Sequence, residues 1–599
     1  MSGPPYTFAI LSSIQARNGD VPIGRCTRRM TVLLPGGAAG MDTRSGGVTL
    51  DMVTIASELL PPSGNEPPAA DHVLGEAGRR RTFAVISHPD AGKSTLTEAL
   101  ALHARVIGQA GAVHGKGGRR GVTSDWMEME RDRGISITSA ALQFSYRDTV
   151  VNLLDTPGHA DFSEDTYRVL SAVDCAVMLL DAAKGLEPQT MKLFDVCRHR
   201  GVPVLTFINK WDRPGQEALE LLDEIQTRTG LQPAPLTWPV GVAGDFRGVI
   251  DRRTGRFSAF TRTPGGATVA AEQVLAPDEA SAAHGAAYRS AVEEVELLEL
   301  DGATLDVEGF VAGRSTPVLF GAAVVNFGVR HLLDMLLELA PAPTPRSDAD
   351  GRVRPLAAPF SGFVFKMQAG MDSAHRDRVA FVRVCSGRFE RGMVVTHGAT
   401  GRPFATKYAQ SMFGRERTTI DEAYPGDVIG LVNASALRVG DTLYAAEPVT
   451  YPPIPNFAPE HFAVVRAKDT GKSKQFRRGI EHLDQEGVVQ VLRSDRRGDA
   501  SPVLAAVGPM QFEVAAHRLE HEFSAPVVVE RLPYGLARRT VAADVPVLES
   551  KSGIEVFTRG SDGALLACMS DVWRLRFVQR ELPELTLEPL VADVTAAEA

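Results

Sequence analysis

Ser87-His88-Pro89-Asp90-Ala91-Gly92-Lys93-Ser94 closes an apolar, strand-like run, Thr82 to Ser87, and leads into a stretch of helical periodicity. It fits G-x-x-x-x-G-K-[ST], with Ser87 in place of the first glycine. Such a loop wraps phosphate because its backbone N–H groups and the N-terminus of the next helix converge on one point and favour negative charge there. Lys93 can reach the outer phosphate oxygens, and Ser94, followed by Thr95, offers a hydroxyl to Mg²⁺. An ordinary strand–turn–helix can carry the same letters. The reading therefore depends on what the rest of the chain supplies.

Two further loops supply it. Asp155-Thr156-Pro157-Gly158-His159 ends the apolar run Val150 to Leu154 and fits D-x-x-G. Asp155 can order the shell of a Mg²⁺ ion, and the Gly158 N–H can sense a terminal phosphate. Asn209-Lys210-Trp211-Asp212 ends the run Val204 to Ile208 and fits N-K-x-D. Its carboxylate can accept from guanine N1–H and the 2-amino group. Adenine has neither donor, and leaving a buried acceptor unpaired is costly, so the motif selects GTP over ATP. With Cys175 to Leu180 and Val318 to Phe320, these runs alternate with helical patterns. That predicts a parallel α/β sheet whose ligand sits beyond the carboxyl ends of the strands.

Working outward, 599 residues predict roughly three to five domains. The fold class expected is multi-domain, α/β then β then α+β: a P-loop GTPase domain at 79–345 with an insertion at about 240–315, a β-barrel domain at 346–450, a C-terminal α+β domain at 451–590 and a tail at 591–599. Pro341, Pro343 and Pro345 mark the first boundary and Pro452, Pro453 and Pro455 the second. Residues 1–78, rich in Gly, Pro and Ala, are expected to be a disordered extension or the product of an upstream start, with Met41 and Met52 as alternatives. No uninterrupted apolar run reaches the ~18 residues a spanning helix needs. Five scattered cysteines suit a reducing cytosol rather than a disulfide framework or zinc site. A formal charge of −9 argues against coating nucleic acid non-specifically. RNA contact would need local patches, such as Lys116, Arg119 and Arg120, or Arg466, Lys468, Lys472, Lys474, Arg477 and Arg478; solvated surface is the alternative for both.

Between the first two loops lies Ser124-Asp125-Trp126-Met127-Glu128-Met129-Glu130-Arg131-Asp132-Arg133-Gly134-Ile135-Ser136-Ile137-Thr138. Its place suits switch I, ordered by the γ-phosphate and Mg²⁺, with Ser136 supplying a metal-binding hydroxyl. A solvated charged loop is the alternative.

Arg133 to Thr138 and Asp155 to His159 resemble the translational GTPases, elongation factor G among them. The phosphate loop, the Ser124 to Glu130 stretch and Asp161-Phe162-Ser163-Glu164-Asp165-Thr166-Tyr167-Arg168 narrow the resemblance to the release factor 3 family. The likeness runs from about Arg79 to about residue 585, through Phe360 to Lys366, His375 to Phe381, Ile454 to Glu460 and Gly508 to Phe512. It implies ribosome-stimulated GTP hydrolysis and ejection of class I release factors after peptide release. The implied partners are therefore the ribosome, through its RNA and proteins, and those factors; the implied cofactors are GTP or GDP and Mg²⁺. It implies phosphate contacts from Ser87, His88, Pro89, Asp90, Ala91, Gly92, Lys93, Ser94, Thr95, Asp155, Thr156, Pro157, Gly158 and His159. Mg²⁺ would be held by Ser94, Ser136 and Asp155. Guanine would be held by Asn209, Lys210 and Asp212, with Gly321, Ala322 and Ala323 as the last loop; the family usually has Ser or Thr before Ala there. Asp90 either helps hold a monovalent cation or caps its own loop. His159 would position the attacking water, against the alternative of a structural histidine. The protein is expected to be a cytoplasmic monomer that binds neither membrane nor DNA. An elongation factor G-like translocase needs two further domains after residue 590; a ribosome-binding protein that holds GTP without hydrolysing it is the other rival.

Overall fold

The computed structural model describes residues 70–105, 113–114, 120–121, 139–261, 269, 271–369, 378–413, 416–454, 456–494, 496–497 and 501–590. The expectations for residues 1–69, for Lys116 and Arg119, for switch I with Ser136 and for the tail fall outside them.

The nucleotide-binding part is built on seven strands: β1 (Arg80–Ser87), β2 (Ala140–Tyr146), β3 (Thr149–Asp155), β4 (Cys175–Asp181), β5 (Val204–Asn209), β6 (Gln232–Pro235) and β7 (Ser315–Phe320). They lie in the order β2-β3-β1-β4-β5-β7-β6. Only β2 runs antiparallel to its neighbour. β4 and β5 are buried at every position, which is why they read as continuous apolar runs: helices cover both faces of a parallel sheet. The insertion is a four-stranded antiparallel sheet, Thr237–Val240, Gly248–Asp251, Arg256–Thr261 and Ala271–Leu275, followed by the helix Pro277–Leu300.

The folded chain begins earlier than expected. Ala70–Gly78, assigned from composition to the extension, is a helix that buries Val73 and Ala77. Its Glu76 pairs with Arg80 at 2.7 Å, and His72 meets the edge of Tyr424. Those partners lie outside the segment, so local composition does not reveal the helix.

Beyond residue 346 comes a curled, barrel-like β sheet whose long strands are Ser361–Ala369 and Arg378–Ser386. Its turn Pro425-Gly426-Asp427 docks on the nucleotide-binding part. Asp427 takes a 2.7 Å bond from Arg80, Thr82 donates to the Gly426 carbonyl at 2.6 Å, and Arg383 reaches back to Asp174 at 2.6 Å. Gly426 has φ +106°, a conformation open to glycine. The C-terminal part is a seven-stranded antiparallel sheet with the helices Ser473–Glu486 and Met510–His521 packed on it.

Candidate functional site

β1, β3 and β5 each end at the same edge of the sheet, and the three motif loops leave from those ends. In the first loop Asp90 (φ +65°) and Gly92 (φ +97°) adopt left-handed backbone, and Gly92 caps the helix Lys93–His103. Left-handed turns of this kind point successive N–H groups into one concavity, an anion nest. Gly92 is required twice over: a Cβ there would stand 2.6 Å from Asn209 Nδ2. Ser87 sits fully buried and its hydroxyl donates to the His88 carbonyl at 2.9 Å. The loop thus keeps its shape without its first glycine.

Lys93 Nζ donates to Asp155 Oδ1 at 2.8 Å, with both side chains buried, so the cation of one loop and the carboxylate of the next share a point. Thr156 is held by a 2.7 Å bond to the Val85 carbonyl. Gly158 lies over Pro89, where an added Cβ would come within 3.6 Å of Pro89 Cα. His159 follows, its side chain 30% exposed. His88 is buried against the Glu187 carboxylate, and burial pushes its imidazole below the usual value.

Asn209 ties the loops together. Its Nδ2 donates to the Ala91 carbonyl at 2.8 Å, and its Oδ1 accepts the Ala323 N–H at 2.9 Å. Both ends of this amide are thereby taken by the phosphate loop and the last loop. Lys210 (φ +64°) donates to the Asp90 carbonyl and to Asp181 Oδ2, the latter at 2.8 Å. Burial works to raise the Asp181 carboxyl, but the Lys210 bond and the Ala183 N–H hold it below the usual carboxylate range. Asp181 was not singled out from sequence; its place at the end of the buried strand β4 was the available signal. Trp211 is buried edge-on against Phe320, and its backbone N–H donates to the Gly321 carbonyl at 3.1 Å. Asp212 Oδ1 is a buried acceptor with no hydrogen-bond partner among the described residues. An unpaired buried carboxylate oxygen is expensive unless a ligand satisfies it, and guanine's N1–H and amino group are donors of the required kind. At Gly321 a Cβ would meet the Phe207 ring at 2.3 Å, so only glycine fits between β5 and β7.

The structure therefore brings Ser87 to Thr95, Asp155 to His159, Asn209 to Asp212 and Gly321 to Ala323 to one sheet edge. Loops of this kind on this sheet define a GTP-binding domain of the translation-factor class. Residues 78–342 match the Elongation factor Tu GTP binding domain, and 359–446 match Elongation factor G domain 2.

The remainder is more specific: residues 451–579 match the C-terminal domain of the class II release factor RF3. Proteins called peptide chain release factor 3 from Symbiobacterium thermophilum and Gloeobacter violaceus are 46% and 48% identical over 518 residues, covering 86% of this chain and 98% of each relative. A crystal structure from Thermus thermophilus superposes with a TM-score of 0.61 over 81% of this chain and 71% of its own, at 21% identity, and supports the fold. This chain belongs to the peptide chain release factor 3 family. It is a release-factor GTPase, not a translocase of the elongation factor G kind. Among the described residues no helix is long and apolar enough to cross a membrane.

Proposed function

We propose that this protein binds GTP with Mg²⁺, hydrolyses it when stimulated by the ribosome, and uses the cycle to dissociate class I release factors after peptide release. One observation carries the nucleotide part: Asp212 presents a buried oxygen, unpaired among the described residues, beside loops that Asn209 ties into one unit. Phosphoryl transfer needs mainly positioning and charge stabilisation, and that is what such a unit provides. The backbone N–H groups of the Ser87 to Gly92 loop, Pro89 excepted because proline has none, and the Lys93 ammonium bind the phosphates. Ser94, Ser136 and Asp155 would hold Mg²⁺, which when bound would neutralise charge on the outer phosphates. Asp212 reads guanine directly, while Asn209, Lys210 and the Gly321–Ala323 loop shape its pocket. His159 positions the attacking water. The Asp90 backbone, already braced by Lys210, is where a monovalent cation would sit.

The working parts are a G domain at 79–345, a β-barrel domain at 346–450 and an α+β domain at 451–590, acting as a cytoplasmic monomer. Lys474, Arg477 and Arg478 lie exposed on the helix Ser473–Glu486 and offer cations to ribosomal RNA. Charge reversal at Lys474 and Arg478 should weaken ribosome binding and flatten its salt dependence. Multiple-turnover GTPase assays test the enzymatic claim. Hydrolysis that rises when ribosomes are added supports it; tight GTP binding with no turnover in either condition would leave a nucleotide-dependent binding protein instead.

A further inference from the structure

The short turn Ala160–Phe162, directly after His159, is seated on the C-terminal part of the chain. There the Met510 N–H, first in the helix Met510–His521, donates to Asp161 Oδ2 at 2.7 Å. The first N–H groups of a helix lack partners within it and favour a carboxylate. Shape reinforces the bond. A Cβ built on Gly508 would lie 2.0 Å from Asp161 Cγ, so only glycine leaves room for this carboxylate. Beside it Phe162 packs on Val514, with Val488 and Met510 at the margin.

The other side of Asp161 faces His159. The Asp161 N–H donates to His159 Nδ1 at 3.3 Å, which makes that nitrogen the acceptor; Oδ1, 3.4 Å from the same nitrogen, is a neighbour and not a second bond. One residue thus grips the imidazole by its Nδ1 edge while a backbone amide from another domain grips that residue. The partner of one ring nitrogen fixes what the other nitrogen presents. Where Asp161 sits therefore decides where Nε2 points.

We infer that Asp161 is a positioning residue through which docking of the C-terminal domain sets the orientation of His159 for GTP hydrolysis. The inference rests on the reading of His159 given above. Asp161 acts only through the imidazole, so its loss should lower turnover and spare nucleotide binding.

The test uses the full-length protein and its variants His159→Ala, Asp161→Ala, Asp161→Asn and Gly508→Ala. The readouts are ribosome-stimulated GTP turnover at varied ribosome concentration and affinity for a fluorescent GDP analogue. Displacing a positioned group by an ångström can cost about a hundredfold, so Asp161→Ala and Gly508→Ala should lower kcat about ten- to a hundredfold. KM for ribosomes and GDP affinity should stay within about twofold of wild type. Asp161→Asn keeps an oxygen for the Met510 N–H and should stay within about threefold in kcat. Wild-type kcat in Asp161→Ala and Gly508→Ala, with His159→Ala inactive, would overturn the bridge and leave the histidine reading standing. A loss shared equally by Asp161→Asn, or matched by lost GDP affinity, would also overturn it, because the role would then be structural. Wild-type turnover in His159→Ala would remove the reading beneath both.

Discussion

Replacing Asn209 by alanine should uncouple the loops that hold the nucleotide. The side chain is 2% exposed and makes two bonds, at 2.8 Å to the Ala91 carbonyl and at 2.9 Å from the Ala323 N–H. Removing it leaves one buried acceptor and one buried donor without partners. Each orphan costs about 1–3 kcal/mol, for a total of about 2–6 kcal/mol if nothing replaces the lost partner. The truncated side chain leaves room at a loop edge where water can enter, so the lower part of that range applies, about 2–3 kcal/mol. Because the damage lies in loops rather than strands, it should appear chiefly as GDP affinity lowered about 30- to 150-fold. Titration with a fluorescent GDP analogue measures this, and a denaturant melt of the same variant reports the sheet. Affinity within about twofold of wild type would refute the claim that this amide holds the site together.

Asp212→Asn replaces an acceptor oxygen by a donor; GTP affinity should fall by more than about tenfold, and xanthine nucleotides, which carry an oxygen in place of the 2-amino group, should gain, as competition binding would show. Gly321→Ala drives a Cβ toward the Phe207 ring and the Phe327 carbonyl; the overpacking should cost about 1–3 kcal/mol and appear as a lowered Tm. His103 and His331 are each pushed down to about 4 by burial, against an ordinary 6.5. The unfolded chain therefore takes up protons first, so stability is fully present above about pH 6.5 and is lost as pH falls toward about 4. A urea midpoint that is the same at about pH 7 and about pH 5 would contradict this.

Much of the site was legible because its determinants are local. Ser87 to Ser94, Asp155 to His159 and Asn209 to Asp212 each close a buried strand, and a run such as Cys175 to Leu180 announces burial on both faces. The sheet then has to deliver all three loops to one edge. The use of the turn Pro425-Gly426-Asp427 as the dock for Arg80 and Thr82 was not legible, because both partners lie far away in the chain. What stayed hidden depends on partners far away in sequence. Asp181 looks like the last residue of a strand until Lys210 lands on it. The helix Ala70–Gly78 has too little apolar surface to declare itself apart from Arg80 and Tyr424. The contact of Asp161 with Met510 spans 349 positions, and no local pattern encodes it.

On the proposed reading, guanine-nucleotide turnover at this sheet edge drives termination factors off the ribosome. The most direct measurement is the dissociation rate of a labelled class I release factor from post-termination ribosomes, with GTP, with GDP and with the His159→Ala variant. Release should be faster with GTP and wild-type protein than with GDP, and multiple-turnover release should be lost in the variant. Release at the same rate with and without the protein and GTP would contradict this reading.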